Sequence, residues 1–412
     1  MKINEKQLEL VDRQIKRILE SGNYYSEKYK ALGIDGVKTA EDFEKIPFTD
    51  KADLRNAYPL GIQAVPEEKV VRIHSSSGTT GKPVIIPYTA KDVDDWATMF
   101  ARCYEIAGIT AKDRIHITPG YGLWTAGIGF QAGCEKLGAM AIPMGPGNTE
   151  KQLQMMIDLK STVICATSSY ALLLAEEINK RGLKDKICLK KGVIGSERWS
   201  DAKRNYIAKE LGIELYDIYG LTEIYGPGIG VNCPGETGMH IFDDYLYTEI
   251  IDPVTGEVLP DGEEGEIVIT TLVKEGAPLI RFRTHDLSRI IPGECKCGRT
   301  YPRLDTIRGR SDDMFKVHGV NMFPSQVEEI LGMVDGVSSE YKIDIAHDEN
   351  KNRDIIMLTA EAEGRVDFDK TAEEIKGLFK SRMNVTPKVA IVAVGTLPRS
   401  EKKTQRVFDH RD

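Results

Sequence analysis

The spacing of hydrophobic and polar positions changes several times along the chain, and each change marks a different kind of structure. Residues 4–20 place Leu8, Val11, Ile15, Ile18 and Leu19 on one helical face, with Asn4 and Gln7 spaced as a capping pair, so an amphipathic helix is predicted there. Short β-branched runs then recur at 70–74 (VVRIH), 114–118 (RIHIT), 139–144 (AMAIPM), 162–166 (TVICA), 191–195 (KGVIG) and 213–218 (IELYDI). Helix-like stretches at 91–107, 125–137, 150–160, 168–180 and 200–211 fill most of the gaps. Strand–helix alternation of this kind predicts βαβ units around a parallel sheet. Residues 240–305 read differently: "EIIDPVTGEVLPDGEEGEIVITTL" is strands and tight turns, broken at Pro253, Gly256, Asp261, Gly262 and Gly265. An antiparallel β-region packed on the first is expected. After residue 310 a helix at 325–334 is predicted, with Ser325 as N-cap and Val327, Ile330, Leu331 and Val334 on one face. Strands at 341–346 and 354–362, a helix at 370–382 and a strand at 389–394 complete a compact α+β domain of ordinary size. The polar junction "RGRSDDMFKVHG" is a hinge candidate.

Composition narrows the classes. With 412 residues the chain can bury a substantial core and is expected to hold more than one domain. A net charge of -8, with no long run of like charges, argues against general nucleic-acid binding. The start, MKINEKQLEL, lacks an apolar signal core, and no apolar run reaches membrane-spanning length. Seven cysteines, an odd count and mostly single in apolar contexts, fit reduced thiols and a cytoplasmic location.

The segments that follow the six runs carry the chemistry. They read SSSGTTG, PGYGLWT, GPGN, TSSY, SERWS and YGLTE: small, hydroxylated, glycine-bearing or aromatic. Ligands of open parallel sheets bind beyond the carboxyl ends of the strands. The first segment, "HSSSGTTGKP", offers unobstructed backbone N–H groups, hydroxyls and one cation, a set suited to phosphate oxygens. It is not a Walker-type loop. Only Thr79 and Thr80 separate Gly78 from Gly81, and Pro83 follows Lys82.

A second constellation comprises Cys233, His240, Cys295 and Cys297. Cys295 and Cys297 flank Lys296 between Gly293 and Gly298, and Cys233 and His240 are expected in another glycine-rich loop. Three thiolates and an imidazole suit a tetrahedral, structural Zn²⁺ with no open coordination position. The Cys-x-Cys spacing is tighter than the common ribbon spacing, and unrelated reduced cysteines are the competing reading. The loop placement favours zinc.

"SSSGTTGKP", "YGLTE", "RTHD", "GRSDDMFKVHGVNMFPSQVEE" and "LPRSEKKTQRV" occur in the order found in adenylate-forming enzymes, and the chain resembles that superfamily over nearly its whole length. "AGCEKLGAMAIPMGPGNTEKQ" and "CKCGRTYPR" resemble its phenylacetate–coenzyme A ligase branch. The resemblance implies an α/β fold with an added β-region. A large N-terminal nucleotide- and acid-binding domain (1–309, with an antiparallel β-subdomain at about 240–305) would be followed by a small mobile C-terminal α+β domain (310–412), with the hinge near 308–313.

The resemblance also assigns roles. Ser75, Ser76, Ser77, Thr79, Thr80 and Lys82 would hold the ATP phosphates. Tyr219 would pack on adenine, Thr222 contact the α-phosphate and Glu223 bind Mg²⁺, an ion that takes one or two carboxylates plus phosphate oxygens. Gly195, Ser196 and Glu197 would line the adenine pocket; a helix start is the alternative for this stretch. Asp286 and Arg310 would reach the ribose, Asp312 would be the pivot, and Lys403 would reach the carboxylate and α-phosphate during adenylation. Two departures stand out: His285 replaces a common glycine, and Lys402 replaces the glycine usual before the lysine, which makes Lys402 a competing cation. Tyr121 and Trp124 are either walls of the acyl pocket or ordinary core aromatics.

The function implied is ATP-dependent ligation of a carboxylic acid, an aryl acid such as phenylacetate, to coenzyme A through an acyl-adenylate. Its partners would be small molecules, with no nucleic acid and no membrane; the family suggests a homodimer. The alternatives are a ligase that loads a carrier protein, and a non-catalytic nucleotide- or zinc-binding relative. The presence of Glu223 and a terminal lysine speaks against the second.

Overall fold

A computed structural model describes residues 2–76, 82–197, 199, 201–313, 315–317, 320–348, 353–362, 366–398 and 406–411. By its internal contacts the chain divides into two units, one of Met1–Ser196 with Ile207–Ile307 and one of Glu197–Tyr206 with Arg308–Asp412.

The first unit is built on a nine-stranded sheet. Its spatial order is Ile290–Ile291, Arg303–Leu304, Glu236–Ile241, Gly226–Cys233, Glu214–Leu221, Lys191–Gly195, Val163–Thr167, Arg114–Ile117 and Met140–Pro143. The last five are parallel, with the helices Ala126–Leu137, Thr149–Asp158 and Ser168–Lys180 as crossovers. Val163–Thr167 has strands on both sides and is buried from Val163 to Ala166, as its unbroken apolar run predicts. The other four strands pair antiparallel. The helix Glu5–Ser21 has the expected capping box between Asn4 and Gln7 and buries Val11, Ile15 and Ile18. The helix Ala90–Ile106 buries Trp96, Phe100 and Tyr104 against the sheet side of the same core.

Three expectations change. The run at 70–74 does not join the parallel sheet; Val70–Ser75 pairs antiparallel with Ile85–Thr89 as a separate hairpin. The β-region at 240–305 is divided: Leu246–Ile251, Gly265–Thr271 and Phe282–Ser288 form their own antiparallel sheet, whereas Glu236–Ile241, Ile290–Ile291 and Arg303–Leu304 extend the main one. Which strand a run pairs with, unlike its period, depends on neighbours outside the run.

The second unit has its own core, including Val317, Val327, Ile330, Tyr341, Ile345, Leu358, Ile375 and Phe379. Its sheet runs Lys388–Ala393, Arg353–Ala362, Val337–Asp348, Val407–Asp409, beside the helices Pro324–Leu331 and Phe368–Met383. The third correction lies here. The first of these helices is capped by Phe323 and starts at Pro324, not after Ser325, because proline's fixed φ suits the first helical position. Among the described residues no helix is long and apolar enough to cross a membrane.

Candidate active site and Cys/His cluster

Three segments far apart in sequence are tied together at the carboxyl ends of the parallel strands. The hairpin strand Val70–Ser75 delivers His74 and Ser75 to one carbonyl: Ser75 N–H donates to Leu123 O at 2.9 Å, and His74 Nδ1 lies 3.2 Å from the same oxygen. Ser76 closes the base of the Ser/Thr/Gly loop, its N–H donating to Val84 O (3.0 Å) and its hydroxyl accepting from Val84 N–H (3.1 Å). Ser77, Thr79 and Thr80 lie outside the described residues; Lys82 places its ammonium 5.4 Å from the Tyr58 ring centre. The loop through Leu123 also carries Tyr121 and Trp124. Tyr121 packs against the main core with a buried hydroxyl that has no partner among the described residues, and Trp124 is about half exposed.

The same loop ends at Thr125, whose hydroxyl is 3.4 Å from that of Thr222. Thr222 and Glu223 sit on the turn between Glu214–Leu221 and Gly226–Cys233. This turn requires glycine: a Cβ on Gly220 would fall 1.9 Å from Gly226 O, and Gly226 has φ +108°. Glu223 is only 5 % exposed, yet Lys51 Nζ approaches its Oε1 to 2.8 Å, an ion-pair contact without hydrogen-bond alignment. A nearly buried carboxylate of this kind has the chemistry of a Mg²⁺ ligand.

Tyr219, on the strand before the turn, donates its hydroxyl to Asp286 Oδ2 at 2.7 Å, so the residues expected at adenine and ribose are one hydrogen-bonded pair. Asp286 is within the strand Phe282–Ser288. Its neighbour His285 has φ +63°, beside an irregularity in the register, and its Nδ1 lies 3.5 Å from Glu266 Oε1. The left-handed backbone explains why glycine is favoured there. Gly195 ends the strand Lys191–Gly195, where a Cβ would fall 2.7 Å from Ile218 O; Ser196 follows at φ +69°. Glu197 is grouped with the second unit, where Arg310 and Asp312 form a two-pronged ion pair, each contact 2.8 Å. Lys402 and Lys403 lie outside the described residues.

Sequence reasoning missed Lys51 and Lys274. Lys51 follows an ordinary helix cap, Asp50, and nothing in "FTDKADL" marks it. Lys274 did leave a trace, as a lysine between the apolar runs "IVITTLV" and "APLI". It is fully buried, and that burial drives its amine down to about 7 although Asp92 and Glu223 nearby act the other way.

At the antiparallel end of the nine-stranded sheet, Cys233, His240, Cys295 and Cys297 bring their ligand atoms within 4.8 Å of one another. Cys233 and His240 belong to the strands Gly226–Cys233 and Glu236–Ile241 rather than to a loop. Cys233 Sγ and Cys295 Sγ are 3.5 Å apart and Cys297 Sγ is 3.2 Å from His240 Nε2. His240 Nδ1 lies 3.2 Å from Tyr301 O; donating there leaves Nε2 a bare lone pair facing the thiols. Burial opposes ionisation of Cys297, but hydrogen bonds from the Arg299 backbone and from Cys295 bring its thiol to about 7. Such a donor set has the chemistry of a closed tetrahedral zinc site.

The turn chemistry and the fold together define a class, the adenylate-forming enzymes. Residues 12–272 match the family model described as "AMP-binding enzyme", and 319–411 match "AMP-binding enzyme C-terminal domain". A phenylacetate–coenzyme A ligase of Pseudomonas putida is 41% identical over 99% of this chain and 94% of its own. One from Escherichia coli K12 is 42% identical over 97% and 92%. Among solved structures, 2-hydroxyisobutyryl-CoA ligase in the postadenylation state, in complex with 2-HIB-AMP, superimposes with TM-score 0.89 at 28% identity, covering 98% of this chain and 89% of that one. The chain belongs to the phenylacetate–coenzyme A ligase family of AMP-binding enzymes. It is accordingly an AMP-forming acid–coenzyme A ligase that works through an acyl-adenylate.

Proposed function

We propose that the acid is an arylacetate such as phenylacetate. The observation that carries this reading is the identity of about 41% with phenylacetate–coenzyme A ligases over nearly the whole of both chains. In the first step a carboxylate oxygen attacks the α-phosphorus of ATP and the P–O bond to pyrophosphate breaks. In the second the coenzyme A thiol, losing its proton, attacks the acyl carbon and AMP departs with the electron pair. A free carboxylate has no acceptable leaving group; the adenylate supplies one.

Tyr219 and Asp286, already paired, receive the adenosine; the Thr222 hydroxyl meets the α-phosphate; the Ser75–Lys82 loop holds the outer phosphates. Glu223 would hold Mg²⁺, which offsets charge on the phosphate oxygens when bound. Lys51, now against Glu223, must then share or yield that carboxylate. Lys403 serves adenylation and withdraws for the thiol, with Asp312 as pivot between residues 1–309 and 310–412; the unit boundary at Ile307/Arg308 supports that position. Gly195, Ser196 and Glu197 border the adenine, Arg310 exchanges Asp312 for the ribose, and Tyr121 and Trp124 wall the acyl pocket. Cys233, His240, Cys295 and Cys297 would hold a structural Zn²⁺, a thiolate site suited to the reducing cytoplasm. Homodimerisation is read from the family alone.

A panel of acids with Mg-ATP and free coenzyme A tests this. Pyrophosphate release that depends on an arylacetate, with thioester formed, is expected. Release without thioester until a phosphopantetheinylated carrier protein is added would mean carrier loading. Silence across the panel would mean a binding protein.

A further inference from the structure

Lys274 is the most deeply buried ammonium among the described residues, and a buried charge persists only where its surroundings repay desolvation. No carboxylate among them lies within ion-pair distance of its Nζ. The Nζ donates instead to two consecutive backbone carbonyls of the catalytic turn, Glu223 O at 3.4 Å and, more closely, Ile224 O. Two aromatic faces enclose it, Tyr88 at 4.5 Å and Tyr225 at 4.8 Å.

The base of this post is as firmly held as its tip. Gln14 Nε2, from the first helix, donates to Lys274 O at 2.9 Å. Buried Asp92, from the helix Ala90–Ile106, accepts the next two backbone N–H groups, Glu275 (2.7 Å) and Gly276 (2.8 Å). Tyr88 works in parallel, its hydroxyl donating to Tyr225 O at 2.9 Å. The turn carrying Thr222 and Glu223 is thus supported from below by Lys274 and Tyr88, with Asp92 and Gln14 holding the lysine's own backbone.

We propose that Lys274 is a positioning residue for adenylation: it pins the Glu223 and Ile224 carbonyls and so fixes where the Thr222 hydroxyl and Glu223 carboxylate stand. The inference rests on the roles given above to Thr222 and Glu223. A lysine is suited to the task because its flexible stem reaches through the apolar layer while its three donors serve two acceptors at once. A turn closed around Gly220 and Gly226 has little stiffness of its own.

The test compares Lys274→Met, which keeps length but no donor, with Lys274→Gln, which keeps one donor group. Amide hydrogen exchange, read without substrate, should rise in peptides covering residues 218–226 in the Met variant and return toward wild type in the Gln variant. Pyrophosphate-release kcat should fall about 10- to 100-fold in the Met variant, the usual cost of losing a supporting partner, with partial recovery in Gln. KM for the acid should stay within about twofold, since the acyl loop is untouched. Unchanged exchange in 218–226, or a loss confined to acid KM, would overturn the inference. If the Met variant does not fold, the Gln variant carries both measurements. Wild-type protein inert toward every acid would instead remove the functional reading, and the exchange experiment would still judge the support.

Discussion

The strand Gly226–Cys233 has a polar cluster at each end, and the two are held in opposite ways. At the Gly226 end the groups assigned to ATP chemistry are anchored by protein partners: Tyr219 to Asp286, Glu223 against Lys51, Ser75 to Leu123, the turn itself to Lys274. At the Cys233 end the cysteines and His240 face mainly one another. A network satisfied by protein is rigid before ligand arrives; one satisfied by its own soft donors is completed by an ion. Damage at the first end should therefore appear in rates, and damage at the second in stability.

The largest effect belongs to Lys403→Ala. Adenylation should fall on the order of 10²- to 10³-fold, as for loss of one transition-state donor, while thioester formation from supplied acyl-adenylate continues. Equal loss in both steps would show that this lysine does not divide the reaction. Glu223→Gln should weaken use of Mg-ATP by about 10- to 100-fold with the melting temperature little changed. A titration of rate against Mg²⁺ that matches wild type would remove the carboxylate from metal binding and blur the contrast.

The opposite end inverts the pattern. Purified protein should contain one zinc per chain by elemental analysis. Cys295→Ser should lose it and melt on the order of 5 °C lower, while folded enzyme turns over within about twofold of wild type. Full zinc content in that variant would break the comparison outright. The smallest effect is expected of Tyr219→Phe: loss of the bond to Asp286 should raise KM for ATP about fivefold, the ~1 kcal/mol of one hydrogen bond, and leave acid KM alone.

The parts visible in the sequence were those that depend on local period or on residue type at a turn. The helix Glu5–Ser21, the parallel strands and the glycine-bearing segments after them fall into this group. Partnership across the chain left weaker marks. Nothing in "VVRIH" distinguishes a hairpin strand from a central one, since both tolerate β-branched runs, and nothing near Lys51 announces Glu223, 172 positions away. His285 is an intermediate case: its departure from glycine was plain, but only the φ of +63° gives the reason. Cys233 and His240 were grouped correctly by chemistry and misplaced by context, because glycines beside them suggested a loop where the backbone is strand.

The shared carbonyl of Leu123 ties specificity to energetics. His74 and Ser75, at the root of the Ser/Thr/Gly loop, grip the backbone immediately beside Trp124 and two residues from Tyr121. On the roles proposed above, remodelling those aromatics to admit a bulkier acid would drag on the hairpin proposed to seat the triphosphate. Redesigns of substrate range in this enzyme therefore need to be screened at several nucleotide concentrations, because a pocket that has gained a new acid can look inactive only for want of ATP.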